Sequence, residues 1–431
     1  MECKKKMNNS SKKIVEFFFG KLEENIIKNE VKAEGVSSFI MVVSEYWDFL
    51  NQEKWLHYLY NLLVLVRDRV EKNFEYIMDT GIGELLEILY ATKMVCKKTG
   101  TFEKFYNSLK EIAYQIFVEF MNRCEKELKI RELRVEQYDL INGASGIGMY
   151  YLSRDNLNTK EKKLVKRICK YLIHIHYSYR QKGEGWVIKC KNQIREEDKV
   201  IFPEGSIDFG MAHGIIGVAL FLSKAYSSGI IEQKQEEVIK EILQIYEKVK
   251  KQGIDGRYMY PSQLSKQQFV NREWDYDIRN NRMSWCYGTI GILRAQFLIG
   301  DYINNCKITN YCVKEIMKIT HVDIKNYKLE SPIICHGYAG VAVILDAFNR
   351  KLKCKQIEKR VEELMNIVYG FFNPKTNYGY MDRGIVNVGG EPYYEEVEQF
   401  DLFSGSAGII LAIAAIMNVG VMWEERIFVI K

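Results

Sequence analysis

Two kinds of hydrophobic pattern alternate along the chain. Residues 236–250 place Val238, Ile239, Ile242, Leu243, Ile245, Tyr246 and Val249 on one side of a helix and charged residues on the other. Residues 357–369 repeat that arrangement. Other stretches are apolar on every side: Gly217-Val-Ala-Leu-Phe-Leu222, Gly340-Val-Ala-Val-Ile-Leu345 and Gly408-Ile-Ile-Leu-Ala-Ile413. A helix that is hydrophobic all round is a buried helix, whereas an amphipathic one keeps a face in water. Their alternation predicts two layers of helices, an outer around an inner.

Each apolar stretch is introduced by the same short signal, Gly-x-x-Gly. It occurs as Gly143-Ala-Ser-Gly146, Gly214-Ile-Ile-Gly217, Gly288-Thr-Ile-Gly291, Gly337-Tyr-Ala-Gly340 and Gly405-Ser-Ala-Gly408. A worn copy, Met78-Asp-Thr-Gly81, keeps only the second glycine. A unit of roughly 50–75 residues has room for two helices and their connections. The expected fold is therefore all-α: an α/α toroid, a double ring of inner and outer helices, forming one domain over residues 1–431. Each inner helix would begin in a crowded central mouth, where glycine lets backbones approach closely. By symmetry the mouths share one end, so the residues just before each signal converge on one pocket.

Composition adds limits. The chain has 431 residues, 47% hydrophobic and 27% charged, the balance of a soluble globular protein with a large core. Its five prolines, at 203, 261, 332, 374 and 392, all fall in or beside polar stretches, as a helix-rich fold requires. The net charge of +6 is spread out, apart from Lys4-Lys5-Lys6 and Lys12-Lys13, which read as a flexible basic tail over residues 1–13. No nucleic-acid-binding motif accompanies that tail. The polar N-terminus lacks a signal peptide's apolar core, and the longest apolar run, Gly408 to Met422, is too short to span a bilayer. Ten scattered cysteines without such a signal point to a reducing cytoplasm, with Cys96, Cys124, Cys169 and Cys354 as inert thiols on helices.

Candidate chemistry comes from the mouths. The residues before the first glycines are Asn142, His213, Tyr287, His336 and Ser404, and one position earlier stand Cys286 and Cys335. Two of only six histidines occupy the same slot of a repeat. Two thiolates and an imidazole suit zinc, whose borderline-soft character favours sulfur and nitrogen donors. Three protein ligands leave a fourth position open, and a zinc already bearing two thiolates is suited to holding a third in a deprotonated, nucleophilic state.

The set Trp285-Cys286-Tyr287-Gly288, Cys335-His336-Gly337 and Ala212-His213-Gly214 closely resembles the lanthionine synthetase C-like family, and in particular its stand-alone lantibiotic cyclases. The resemblance runs from about residue 75 to the C-terminal region. It implies a zinc enzyme, one Zn2+ per chain, that joins cysteine thiols of a precursor peptide to dehydroalanine or dehydrobutyrine as thioether rings. By position, Cys286, Cys335 and His336 match the metal ligands, and His213 the acid/base histidine. Asp139, Arg282 and Tyr287 match the active-site aspartate, arginine and tyrosine. The partners it implies are a dehydrated precursor peptide, leader plus core, and a dehydratase and export transporter in a membrane-associated complex. A monomer that binds no nucleic acid is expected.

The residues fit this chemistry. Thiolate attack on the β-carbon yields an enolate whose α-carbon needs a proton, and a histidine is a natural donor at neutral pH. Asp139 could orient His213 or simply cap the helix after it, and Arg282 could anchor Asp139 or stabilise the enolate oxygen. Tyr287 could equally be a packing aromatic. Long loops at 181–209, 253–284 and 373–402 carry aromatic and acidic residues around the mouths. Within the first, Gly185-Trp-Val-Ile-Lys189 reads as a short strand and a candidate β-containing extension. Two other readings stand beside ring closure: addition of glutathione to dehydroamino acids in proteins, and a toroidal scaffold without chemistry. A toroidal glycosidase would need paired carboxylates and gives a Cys2His cluster no purpose.

Overall fold

A computed structural model describes residues 9–32, 35–72, 82–130, 133–180, 185–278, 281–388 and 391–430. The worn repeat at Met78–Gly81 lies outside them, as does most of the basic tail; Asn9–Lys13 begin the first described helix, Asn9–Lys28. The chain forms two compact units. One takes segments from Met1–Phe74, Glu87–Leu109 and Asp323–Lys431, the other from Glu75–Leu86 and Lys110–Val322.

In the second unit, each Gly-x-x-Gly opens a buried helix paired with an amphipathic one. Ala144–Leu152 packs on Thr159–Arg180, Ile215–Ser227 on Gln235–Val249, and Thr289–Tyr302 on Cys306–His321. The helix Ile215–Ser227 also packs against both other buried helices. In Gln235–Val249 the buried stripe is Val238, Ile239, Ile242, Tyr246 and Val249, with Leu243 and Ile245 half-buried at its margins. Each fully buried Ile, Val or Leu contributes about 1.5–3 kcal/mol, so the stripe anchors its helix without help from the polar face.

In the first unit, Tyr338–Leu352 packs on Lys355–Gly370 and on Ser406–Ile416, every residue of which is buried. A further pair here escaped the repeat pattern. Val36–Glu45 is buried along its whole length and packs on the amphipathic Gln52–Lys72 and on Ser406–Ile416. It follows Gly35-Val-Ser-Ser38, with serine in place of the second glycine.

The glycines work differently from the crowding of separate mouths that the sequence suggests. Each first glycine has an ordinary extended N-cap conformation, and what a Cβ would strike is the loop leading into its own helix. At Gly288 it would fall on the Ser284 backbone, and at Gly337 on the Ser331 carbonyl; at the second glycine Gly340 it would fall on the Ile334 carbonyl. The signal is thus a turn folded so tightly on itself that only glycine fits. Neighbouring mouths are then joined by backbone hydrogen bonds: Leu140 N to Ala212 O (3.1 Å) and Ala212 N to Cys286 O (3.4 Å) in one unit, Cys335 N to Phe403 O (2.9 Å) in the other.

The β structure is small. Ser206–Asp208 pairs antiparallel with Gln263–Ser265. The strand expected at Gly185–Lys189 is not formed, Ile188 alone making an isolated bridge to Ser206, so among the described residues of the 181–209 loop the β structure is that bridge and a three-residue strand. Lys251–Gln252 pairs with Tyr258–Met259, and Asp382–Val388 forms a hairpin with Glu391–Val397.

Candidate active site

His213 stands in the turn before the helix Ile215–Ser227, and Asp139 in the turn before Ala144–Leu152. The two meet: His213 Nδ1 lies 2.5 Å from Asp139 Oδ2. Asp139 is fully buried, while the His213 side chain keeps 20% of its surface exposed. The other carboxylate oxygen, Oδ1, accepts the backbone amide of Asn142 at 2.7 Å. One aspartate therefore braces its own mouth turn and aligns the histidine of the next. Of the two roles that the sequence left open, Asp139 contacts His213, but it does not cap the helix Ala144–Leu152, whose N-cap is Gly143 with no side-chain cap; its second oxygen goes to the turn before it.

Burial opposes a charged imidazole, but the hydrogen bond and charge of Asp139, reinforced by Asp208 and Cys286, outweigh it and raise the His213 pKa to about 9. At neutral pH this histidine carries a proton to give. Tyr287 sits beside it, the ring centroids 5.9 Å apart. Burial, together with the charge of Asp208, holds the Tyr287 phenol well above its ordinary pKa. Burial also pushes the Asp208 carboxyl up to about 6, against the opposing pull of the His213 charge, the Gly210 amide and the Tyr287 hydroxyl. His213, Tyr287 and Asp208 line a cavity of about 190 Å³ whose other walls include Arg195, Gln263 and Ile188, so the extension forms part of its lining.

Cys286 is buried next to Tyr287, its Sγ 3.8 Å from Ser284 Oγ. Arg282 is exposed, and the described hydrogen bonds of the Asp139 side chain go to Asn142 and His213. In the other unit, Cys335 is half-buried and His336 places Nε2 3.2 Å from Asp382 Oδ1. That oxygen also accepts the Ser331 hydroxyl at 2.7 Å. Burial would raise the Asp382 pKa, but the hydrogen bond and charge of His336, with the Ser331 hydroxyl, lower it below the usual carboxylate range. With Nε2 turned to a carboxylate, Nδ1 is the nitrogen left to ligate a metal, and a carboxylate behind a histidine is the usual support for a metal ligand. The donor chemistry, two thiols and a braced imidazole, suits zinc. Among the described residues no three His, Cys, Asp or Glu side chains form a metal-holding group.

Asp208 and Asp382 have no counterpart in the sequence reading. Asp208 stands six residues before Gly214, outside the slots compared, and Asp382 lies 46 residues beyond His336 with no repeat signal near it.

Fold and site together define a repeat-built helical protein with a hydrogen-bonded histidine–aspartate pair at one mouth. The chain belongs to the lanthionine synthetase C-like protein family, whose model matches residues 2–421. It is 27% identical over 270 residues to the nisin biosynthesis protein NisC of Lactococcus lactis subsp. lactis, covering 61% of this chain and 60% of that protein. Its structure matches a solved nisin cyclase with a TM-score of 0.78 and 17% identity over 97% of each chain. The fold is thus the α/α toroid expected from the glycine repeat.

Proposed function

We propose that this chain closes thioether rings in a dehydrated precursor peptide by adding cysteine thiols to dehydroalanine or dehydrobutyrine. The observation that carries this reading is the His213–Asp139 dyad at 2.5 Å, beside Tyr287 and Cys286, in a member of the lanthionine synthetase C-like family. Sulfur adds to the β-carbon, the C=C electron pair moves toward the carbonyl, and the α-carbon takes a proton. His213 is the donor: Asp139 holds Nδ1, stabilises the charged ring, and leaves the Nε2 proton for transfer. The thiol proton returns to the histidine through solvent, so the product is an isomer of the substrate.

Cys286, Cys335 and His336 would hold one zinc ion, with Asp382 behind His336, and zinc bound there would supply a means of deprotonating the substrate thiol at neutral pH. The substrate's dehydroamino acids require a dehydratase upstream, and a transporter is the expected consumer of the finished peptide. All nine described cysteines are free thiols, which agrees with work in a reducing cytoplasm. No described helix is long and apolar enough to cross a membrane.

Incubation with a dehydrated, cysteine-containing peptide, followed by thiol alkylation and mass spectrometry, tests the reading. Ring closure removes free thiols at unchanged peptide mass. A mass gain with added glutathione would point to the glutathione-transfer chemistry instead, and unchanged thiols with neither product would favour a binding scaffold.

A further inference from the structure

Residues 185–209 give the cavity one of its walls, and a pair of buried side chains ties that wall down from behind. Trp186, 2% exposed, donates its indole Nε1–H to His176 Nδ1 at 3.1 Å, and His176 Nε2 lies 2.7 Å from Glu241 Oε2. His176 stands on the helix Thr159–Arg180 and Glu241 on Gln235–Val249, so the wall is fastened to two amphipathic helices. The indole N–H can only donate, and a carboxylate can only accept. Nδ1 is therefore bare and Nε2 carries the hydrogen. His176 is a neutral imidazole held in one tautomer, and a proton on Nδ1 would face the indole N–H and break the contact.

From Trp186 the connection runs to the cavity. Its ring packs edge-on against the buried Tyr138, the centroids 5.4 Å apart, which seats the indole from the other side. Two residues on, Ile188 exchanges backbone hydrogen bonds with Ser206 at 2.8 and 3.0 Å. Gln193 Nε2 then donates to the Ile188 carbonyl at 3.0 Å and to the Ser206 hydroxyl at 2.8 Å. Ile188, Gln193 and Ser206 all line the cavity that His213 enters. We infer that Trp186 and His176 are positioning residues that hold this wall where the peptide binds, although neither lines the cavity. Their loss is read in peptide binding rather than in proton transfer. The inference rests on the ring-closing reading for its catalytic meaning, while the hydrogen bond itself can be tested without turnover.

Two measurements separate them. In the resting protein with 15N-labelled tryptophan, the Trp186 indole signal is identified by its absence in Trp186→Phe. It is expected at the downfield position of an N–H bonded to a ring nitrogen, and to move upfield in His176→Leu. An unmoved signal would overturn the brace whether or not the protein closes rings. In turnover on a peptide with one cysteine and one dehydroalanine, Trp186→Phe keeps a ring against Tyr138 and deletes the donor. It is expected to raise KM on the order of tenfold, the worth of one buried hydrogen bond, with kcat close to wild type. The Trp186→Phe, His176→Leu double variant should be no worse than the poorer single one, since the two act through one contact. A wild-type KM in Trp186→Phe, a fall confined to kcat, or multiplying KM effects in the double variant would sink the inference. If His176→Leu misfolds, Glu241→Ala takes its place in both measurements, with a smaller shift in the same direction expected.

Discussion

His336 Nε2 lies 3.2 Å from Asp382 Oδ1, which joins a proposed metal ligand to the first residue of the hairpin strand Asp382–Val388. The same oxygen takes the Ser331 hydroxyl, and Ser331 leads into the His336 turn. The carboxylate thus fixes both the tautomer of the ring and the loop that carries it.

Removing that support should weaken metal retention without unfolding the protein. Asp382→Ala is expected to lose zinc to a chelator at a concentration about 10–100-fold lower than wild type requires. Metal analysis after graded chelator treatment reads this directly. Cys335→Ala should lose zinc outright, and wild-type zinc content in that variant would contradict the ligand assignment.

A histidine that donates the final proton should be dispensable for metal binding and indispensable for chemistry. His213→Asn is expected to slow ring closure by roughly 10²–10⁴-fold, the usual worth of a positioned acid, with zinc content unchanged. Asp139→Asn should fall in the same direction, because the neutral amide no longer stabilises the imidazolium. Full activity in His213→Asn with metal bound would remove His213 from the proton-donor role.

A different acid governs stability against pH. Glu45 is fully buried; its Oε1 accepts the Trp423 amide at 2.9 Å, while its Oε2 is buried with no hydrogen-bond partner. Burial raises its pKa from 4.5 to about 7, against the pull of the Trp423 and Met422 amides and of Lys98. Since the folded value lies above the unfolded one, its contribution is complete below pH 4.5, falls as pH rises to about 7, and is flat beyond. Glu45→Gln removes this titration. Its thermal midpoint should exceed that of wild type above pH 7, by a stabilisation on the order of 3 kcal/mol or less. Parallel melting curves from pH 5 to 9 measure the gap, and equal pH profiles would show that Glu45 does not set it.

The glycine turns make a steric prediction with its own control. A methyl group at Gly340 would fall on the Ile334 carbonyl, whereas one at Gly370 meets nothing within 4 Å. Gly340→Ala should lower the thermal midpoint by an amount worth at least about 2 kcal/mol, since backbone must move. Gly370→Ala, on a helix, should be neutral or stabilising by up to about 1 kcal/mol. Comparable melting of the two variants would refute the close-packed-turn account.

The inner helices were legible where both glycines survive, because an all-apolar stretch behind a tight turn has no other stable place than the core. Val36–Glu45 was not, because Ser38 replaces the second glycine and the repeat signal fails, although burial is just as complete. The extension was only half legible. Gly185–Lys189 has the composition of a strand, but its single bridge, Ile188 to Ser206, depends on a partner that sequence cannot align.

For the site, the sequence by itself determined which residues stand at equivalent slots, because helical periodicity and the steric need for glycine are local properties. It placed His213 and Asp139 each before its own inner helix, and the donor types Cys286, Cys335 and His336 in their turns. Packing alone settled that Asp139 offers one oxygen to its own turn and the other to His213, that Asp208 lines the same cavity as His213 and Tyr287, and that Asp382 stands behind His336. A hydrogen bond forms over about 3 Å. Which side chains come that close across tens of residues is set by how whole helices and loops pack, and no spacing along the chain encodes it.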